Sequence, residues 1–358
     1  MAVDEKILEE LHKEPEINLD LSWLKPDSEG GMRAEPGKHG LTVESIQIGS
    51  YGAIPDRTDN YSMRPRGAAP RPGAQRMGIR WDEKGQTWSQ AVSMLYEEAQ
   101  QRQWSSATDI PWTELKELPD DVELAMCELC TFLTQVEFIA GDVPGRWIRH
   151  ISTDHYEIAL FLATQVMDEA RHLDVFRKRA LANGGGLLEA GGGAIGFLYN
   201  QDFLEMTVTL HITAEGFVQS VFRMGELFAP SEVEKKMFRL SAQDESRHVA
   251  FGVMHVKHLL ETQPERKEEV ISYLERQQQG GGGGGGGATI ATGPATGESL
   301  AILLGGGKDH LDEGYKLLMA IRQKQVKEFA QRLKVCGLGD YAEAMEARIQ
   351  AFAAAASN

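Results

Sequence analysis

The chain has 358 residues, 42% hydrophobic and 25% charged, a globular composition with enough apolar side chains to bury a sizeable core. Its formal charge of −16 argues against nucleic acid, whose phosphates would be repelled, and weakens any reading with a strongly acidic partner. No run of eighteen or more apolar residues appears and the start MAVDEKILEE lacks the order of a signal peptide, so neither membrane spanning nor export is expected and the cytoplasm is the default.

Residues 1–86 read as an irregular, partly disordered arm, rich in Gly, Pro, Arg and Ser between Lys25 and Gly78 and without sustained periodicity. From Thr87 apolar residues recur at helical spacing, beginning with Trp88, Val92, Leu95 and Tyr96, and β-type alternation is scarce. A helix is expected from Asp121 to Ala140, stopped by the breakers of GDVPG, Gly141 to Gly145. Inside it Cys127 and Cys130 form a CxxC. With no second CxxC and no nearby strand, they read as two buried helix thiols, and with Cys336 they make no disulfide framework.

The next helix is expected from Ser152 to Ala182, with Gly184 as its stop, and a third from Asn200 to Phe228. A fourth runs from Glu232 to Gln263, with Ser231 as its N-cap. Four long helices with short connectors, over residues 87–275, suggest an all-α antiparallel bundle. Residues 276–307, with eight consecutive glycines, read as a flexible loop, and the glycine run raises the question of a sequence artefact. Residues 308–358 return to helical spacing and are expected to form helices packed on the bundle.

Two segments repeat the string Asp-Glu-x-Arg-His: Asp168 to His172 and Asp244 to His248. On a helix, residues three apart share a face, so Glu169 with His172, and Glu245 with His248, each aim a carboxylate and an imidazole at one point. That is a metal-ligand pair. A single ExxH arises by chance about once in such a chain, and Glu9 with His12 is read as that accident. The doubled string stands apart because both copies lie mid-helix among apolar residues, where unpaired charge is costly, and share the same flanking Asp and Arg. The bland alternative is two internally salt-bridged faces, Asp168 to Arg171 and Asp244 to Arg247.

A two-metal site in a bundle needs one more Glu from each remaining helix. Glu137, 32 residues before Glu169, and Glu215, 30 residues before Glu245, are favoured, with Glu128 and Glu123, and Glu205, as rivals. The set Glu137, Glu169, His172, Glu215, Glu245, His248 resembles the ligands of ferritin-like di-iron carboxylate proteins, specifically ribonucleotide reductase small subunits and bacterial di-iron oxygenases. Gly141 and Pro144 after Glu137, the segment FRLSAQDESRH and the segment RQWSSATDIPW add to the resemblance, which spans roughly Ser89 to Leu260.

The resemblance implies a ferritin-like bundle with flanking helices, holding two irons, or manganese and iron, about 3 to 4 Å apart. Hard oxygen ligands with imidazole suit these metals better than zinc. It further implies that Asp168 and Asp244 orient His248 and His172, in that crossed order, and that Trp104 starts an electron path through Asp244 and His172. Phe176 stands where small subunits carry a radical tyrosine, and Gln219 where the monooxygenases carry a pocket threonine. Phe138, Phe161, Leu162, Phe217 and Val218 are candidate pocket residues, equally good as core, and His211 is a candidate extra ligand.

The leading expectation is a di-iron oxidase or oxygenase that activates O2 to hydroxylate, N-oxygenate or desaturate a small organic substrate, with Glu137 and Glu215 beside the chemistry. It would draw electrons from a separate donor protein, since no flavin or nicotinamide fingerprint is visible, and would form a homodimer by family analogy. The alternatives are a radical-initiating or ligand-binding relative of the reductase small subunit that works with a partner, and a non-catalytic iron-handling protein. A desaturase using an acidic acyl carrier would need Arg64, Arg66, Arg71 and Arg76 as a docking patch.

Overall fold

The computed structural model describes residues 32–191, 195–278 and 294–356. Glu9, His12 and the glycine run 280–287 lie outside them. Among the described residues there are helices and isolated β-bridges but no strand. After a short helix α1 (Val92–Gln101) come α2 (Asp120–Gly145) and α3 (Tyr156–Ala182). The helix α4 opens over Phe203–Met206, continues in π turns over Thr207–Glu215 and returns to α geometry over Gly216–Phe228. There follow α5 (Glu232–Thr262), α6 (Lys267–Gln278), α7 (Pro294–Gly305), α8 (Leu311–Val335) and α9 (Gly339–Ala356).

The bundle is two helical hairpins, α2 with α3 and α4 with α5, and α3 meets α5 across its centre. Each hairpin contributes one helix with a buried Glu and one with a buried ExxH, the ferritin-like arrangement. α1 packs on α3 and α5, α7 lies between α2 and α8, and α8 also touches α4 and α5.

Local chemistry accounts for most boundaries. Three acidic residues, Asp120, Asp121 and Glu123, sit in the first turn of α2, where the helix dipole favours negative charge. Ser231 caps α5 by accepting a hydrogen bond from the Val233 N–H at 3.2 Å. The chain leaves α3 through Asn183 and Gly184, whose φ of 85° suits glycine.

Three boundaries differ from the sequence expectation. α2 does not stop at Ala140 but runs through Gly141 and Pro144 to Gly145. Gly141 is a packing glycine here: a Cβ on it would meet the Glu169 Cβ at 3.2 Å, so it lets α2 and α3 close tightly beside the doubled motif. Pro144 falls in the last turn, where only one backbone bond is forfeited. Ser152 caps the 3₁₀ turn Thr153–His155 instead of starting α3. Within the stretch read as a flexible loop, Pro294–Gly305 is the helix α7, with Leu300 and Ala301 buried against the bundle.

The described part of the arm is irregular but anchored. Arg66 pairs with the fully buried Glu157, at 2.5 and 2.9 Å, and Trp81 is buried against Trp147 and Phe203. Arg64 donates to the Ala68 carbonyl and Arg76 lies over the Tyr61 ring, so three of the four arm arginines are engaged within the chain. The stretch Asp120–His150 is long and apolar enough to cross a membrane, and 67% of its most apolar window is buried inside the protein.

One buried ion cluster ties three bundle helices together. Arg179 of α3 is fully buried and donates to both oxygens of Glu123 on α2, at 2.8 and 2.9 Å, and to Glu234 on α5. Burial opposes ionisation of Glu123, but Arg179 and Asn183 hold its carboxyl below its ordinary value of 4.5. That contribution to stability is present above pH 4.5 and is lost as pH falls through the lowered value. Replacing Arg179 by Met strands two buried carboxylates and should cost about 3–5 kcal/mol in denaturant unfolding at neutral pH.

Candidate metal centre

Six side chains from four helices converge at the centre of the bundle. Glu137 comes from α2, Glu169 and His172 from α3, Glu215 from the end of the π segment of α4, and Glu245 and His248 from α5. All are buried, none more than 3% exposed. Their donor atoms form two overlapping groups: Glu137, Glu169, His172 and Glu245 lie within 4.8 Å of one another, as do Glu169, Glu215, Glu245 and His248. Glu169 and Glu245 belong to both, so the arrangement is two adjacent positions bridged by two carboxylates. The imidazole centroids are 6.4 Å apart.

The donor atoms approach closely without satisfying one another. The His248 Nδ1 lies 3.1 Å from a Glu169 oxygen and 3.3 Å from a Glu245 oxygen. Yet it has no hydrogen bond of acceptable geometry, and neither do Glu137 Oε1, Glu169 Oε1, Glu215 Oε2 or either oxygen of Glu245. Buried carboxylate oxygens without partners are costly. Two divalent cations would satisfy them and balance four carboxylates, so the residues present fit a dinuclear centre.

Protonation in the metal-free chain shows the same strain. Burial, with Glu169 and Glu245 close by, pushes Glu137 well above the usual carboxylate range. Burial and the charges of Glu245 and Glu169 outweigh His248 and push Glu215 up as well. Burial works against ionisation of Glu169 too, but the hydrogen bond from His172 and the close approach of the His248 imidazole pull it down to about 2. Both imidazoles are raised well above their ordinary value: burial opposes this, and the carboxylates around them override it.

The far ring nitrogens are held in crossed fashion. His172 Nε2 meets Asp244 Oδ2 at 3.2 Å, and His248 Nε2 meets Asp168 Oδ2 at 3.3 Å. Each aspartate is shared by the two arginines of the doubled motif. Arg247 donates to Asp168 at 2.8 Å and Asp244 at 2.5 Å, and Arg171 donates to Asp168 and to Asp244 at 3.3 Å. The Trp104 indole N–H donates to Asp244 at 2.8 Å, and its ring stacks on His172 with centroids 6.3 Å apart. The five-residue string therefore encodes a ligand pair together with the aspartate that orients the opposite imidazole and the arginine that orients both aspartates.

The rival glutamates lie elsewhere. Glu123 belongs to Arg179, Glu128 is half-buried on the outer side of α2, and Glu205 pairs with Arg276. His211 is not among the converging donors; its Nε2 meets the Gln165 Oε1 at 3.1 Å, and Gln165 donates to Glu215 at 2.8 Å. Burial, with His248 and His255 nearby, lowers His211 to about 3, so it is a neutral prop for Glu215. Gln165 gave no signal in the sequence, since an uncharged side chain in a helix looks like any other. Cys127 and Cys130 are free and buried away from the centre, and burial, then Glu123, pushes the Cys127 thiol up to about 11.

Of the candidate pocket residues, Val218 lines a cavity of about 30 Å³ beside Glu137, Glu215 and Glu245, with Val136, Ala140 and Leu210. Phe161 lies edge-on to His248, and Leu162 is fully buried. Phe138 is a correction: it is 65% exposed, because the face of α2 that buries Glu137 turns its neighbour outward. Phe217 faces Arg322 of α8, not the centre. Phe176 is fully buried against Phe222 and Phe238, and Gln219 donates to Ser246.

No family model matches the chain, and no curated protein does. Among solved structures, an R2-like ligand-binding oxidase with aerobically reconstituted Mn/Fe cofactor aligns at 18% identity and a TM-score of 0.47, covering 69% of this chain and 93% of that one. Two single-site mutants of such an oxidase align at 16% and 20% identity with TM-scores of 0.45 and 0.46, each covering 69% of this chain and 94% of that one.

The bridged geometry distinguishes the ligands by experiment. Glu169→Ala should lose both metals, whereas Glu137→Ala and Glu215→Ala should each lose about one, by metal analysis of purified protein. Asp244→Asn should weaken the metal at His172 by about 10–100-fold and leave the other nearly unchanged. Because the metal must displace protons held by raised imidazoles, affinity should climb with pH through and beyond the ordinary imidazole value of 6.5.

Proposed function

We propose that this chain is a dinuclear oxidase or oxygenase that uses O2 to oxidise a small organic substrate, holding two irons or a manganese and iron pair. The observation that carries it is the convergence of four carboxylates and two imidazoles, with orphaned donor atoms, in the buried core of the bundle. When bound, such a metal pair supplies the electrons that activate dioxygen.

The side chains do the rest. Glu169 and Glu245, common to both donor groups, would hold both metals, Glu137 and Glu215 would each hold one, and Asp168 and Asp244 keep the far imidazole nitrogens occupied so that Nδ1 is free to ligate. The cavity beside Glu137, Glu215 and Glu245, about 30 Å³, has the volume that one water molecule takes up in the liquid. Its apolar walls suit dioxygen and exclude bulk water. Trp104, 9% exposed, connects through Asp244 to His172 and offers a hydrogen-bonded route for electrons from a separate donor protein. We further propose that the enzyme is cytoplasmic and acts as a homodimer.

The second reading, a radical-storing partner protein, loses support from Phe176, which cannot form a tyrosyl radical at the place beside the site where one is expected. Chemically reduced, iron-loaded protein mixed with O2 should consume it in proportion to metal content, with no persistent radical signal. Trp104→Phe should slow multiple turnover with an external donor about tenfold or more while leaving oxygen uptake by pre-reduced protein intact. Iron-loaded protein that neither consumes O2 nor oxidises would sink the proposal.

A further inference from the structure

Ten residues line the small cavity beside the metal ligands, and nine of them belong to the bundle helices α2, α4 and α5. Those nine are buried, none more than 8% exposed. The tenth is Phe197, from the 3₁₀ turn Ile195–Tyr199 that packs against α2. It is half-buried, so it is the one lining residue that also meets solvent.

Phe197 is also the one wall that can move alone. Shifting any of the other nine would displace a helix that carries metal ligands, and a close-packed bundle interior resists that. Phe197 instead sits on a short strap held by single polar contacts at or near the surface. Arg146 Nη1, just past the end of α2, donates to the Leu198 carbonyl at 2.8 Å, Asn200 donates to the Thr209 hydroxyl of α4 at 2.9 Å, and Arg80 of the arm donates to the Gln201 carbonyl at 2.5 Å. Tyr199, within the strap, is 71% exposed. Hydrogen bonds of this kind exchange readily with water, whereas the core helices of a bundle open only with the whole fold. The cavity, at about 30 Å³, has no room for a ring, since an apolar cavity that holds benzene is about 150 Å³.

We propose that Phe197 is the gate of the metal centre: diatomic and triatomic molecules pass when its ring swings outward on the strap, and the ring keeps larger ones out. As the gate for O2 it rests on the oxidase reading; as the gate for small anions on their way to the metals it stands without that reading. A wider cavity, about 350 Å³, lies further along α4 at Val221 and Met224 and is the rival way in.

The test mixes the diferric full chain with azide in stopped flow and follows the azide-to-iron absorption band, with retention of both irons as the check on folding. Phe197→Ala should bind azide about tenfold or more faster than wild type, Phe197→Leu should fall between them, and Phe197→Trp should be slower than wild type by a similar factor. Met224→Trp, which fills the wider cavity, should leave the rate unchanged. Phenol supplies the size test: wild type should develop no phenolate-to-iron band on the azide timescale, and Phe197→Ala, which frees the space of a phenyl ring, should develop one. Azide rates that are equal across the Phe197 variants, a rate slowed by Met224→Trp instead, or phenol entry as fast in wild type as in Phe197→Ala would overturn the gate. Should Phe197→Ala lose its iron, the order of Phe197→Leu, wild type and Phe197→Trp decides. Failure of the oxidase reading looks different: azide rates still follow the size of the side chain at this position, while reduced, loaded wild type consumes no O2.

Discussion

The structure is organised around a charge imbalance. Four carboxylates cannot remain ionised together in a dry core without cations or protons among them, and six side chains from four helices are brought to one point where they make that demand. Helix spacing, packing glycines and the surrounding hydrogen bonds all serve this convergence. Gly141 lets α2 approach the backbone behind Glu169. On the opposite hairpin, Gly252 of α5 gives way to His211, whose Cβ would lie 2.5 Å from any Cβ placed there.

Around the ligands lies a balanced layer: two aspartates and two arginines, each aspartate touching both arginines. The layer is neutral overall, so it orients the imidazoles without adding net charge to the centre. It also couples the hairpins, because each aspartate serves the histidine of the other one. Repetition in the sequence is thus a consequence of pseudo-twofold construction, in which each half must supply what its counterpart needs. The remote Arg179 cluster repeats the principle at one end of the bundle, with one arginine serving carboxylates from two other helices.

Much of this was legible from residue type and spacing. The ExxH pairs were readable because a three-residue interval has one meaning on a helix, and Glu137 and Glu215 because each is a charge amid apolar neighbours. What escaped reading has physical causes. GDVPG looks like a stop because Gly and Pro oppose helix in isolation, yet tertiary contact at Gly141 reverses that preference. The helix Pro294–Gly305 is short and begins with weak helix formers, so its stability comes from packing on α2 and α8, which local sequence does not contain. Phe138 and Phe217, read as pocket or core, do not line the pocket because residues one and two places from a ligand in sequence point about 100° and 200° away from it on a helix. The π turns over Thr207–Glu215 were missed, although the β-branched, hydroxyl-bearing run TVTLHIT is a signal that ordinary α geometry is under pressure there.

Those π turns carry a consequence for how the site tolerates change in chain length. The Thr213 hydroxyl reaches back five residues to the Val208 carbonyl at 2.9 Å, the reach of a widened turn. A widened turn holds surplus backbone, and Glu215 sits where the surplus ends. Deleting one residue from this stretch would remove that surplus and let the helix return to its ordinary pitch with both flanking segments in place, so the widened turns are a register adjuster between Phe203–Met206 and Glu215.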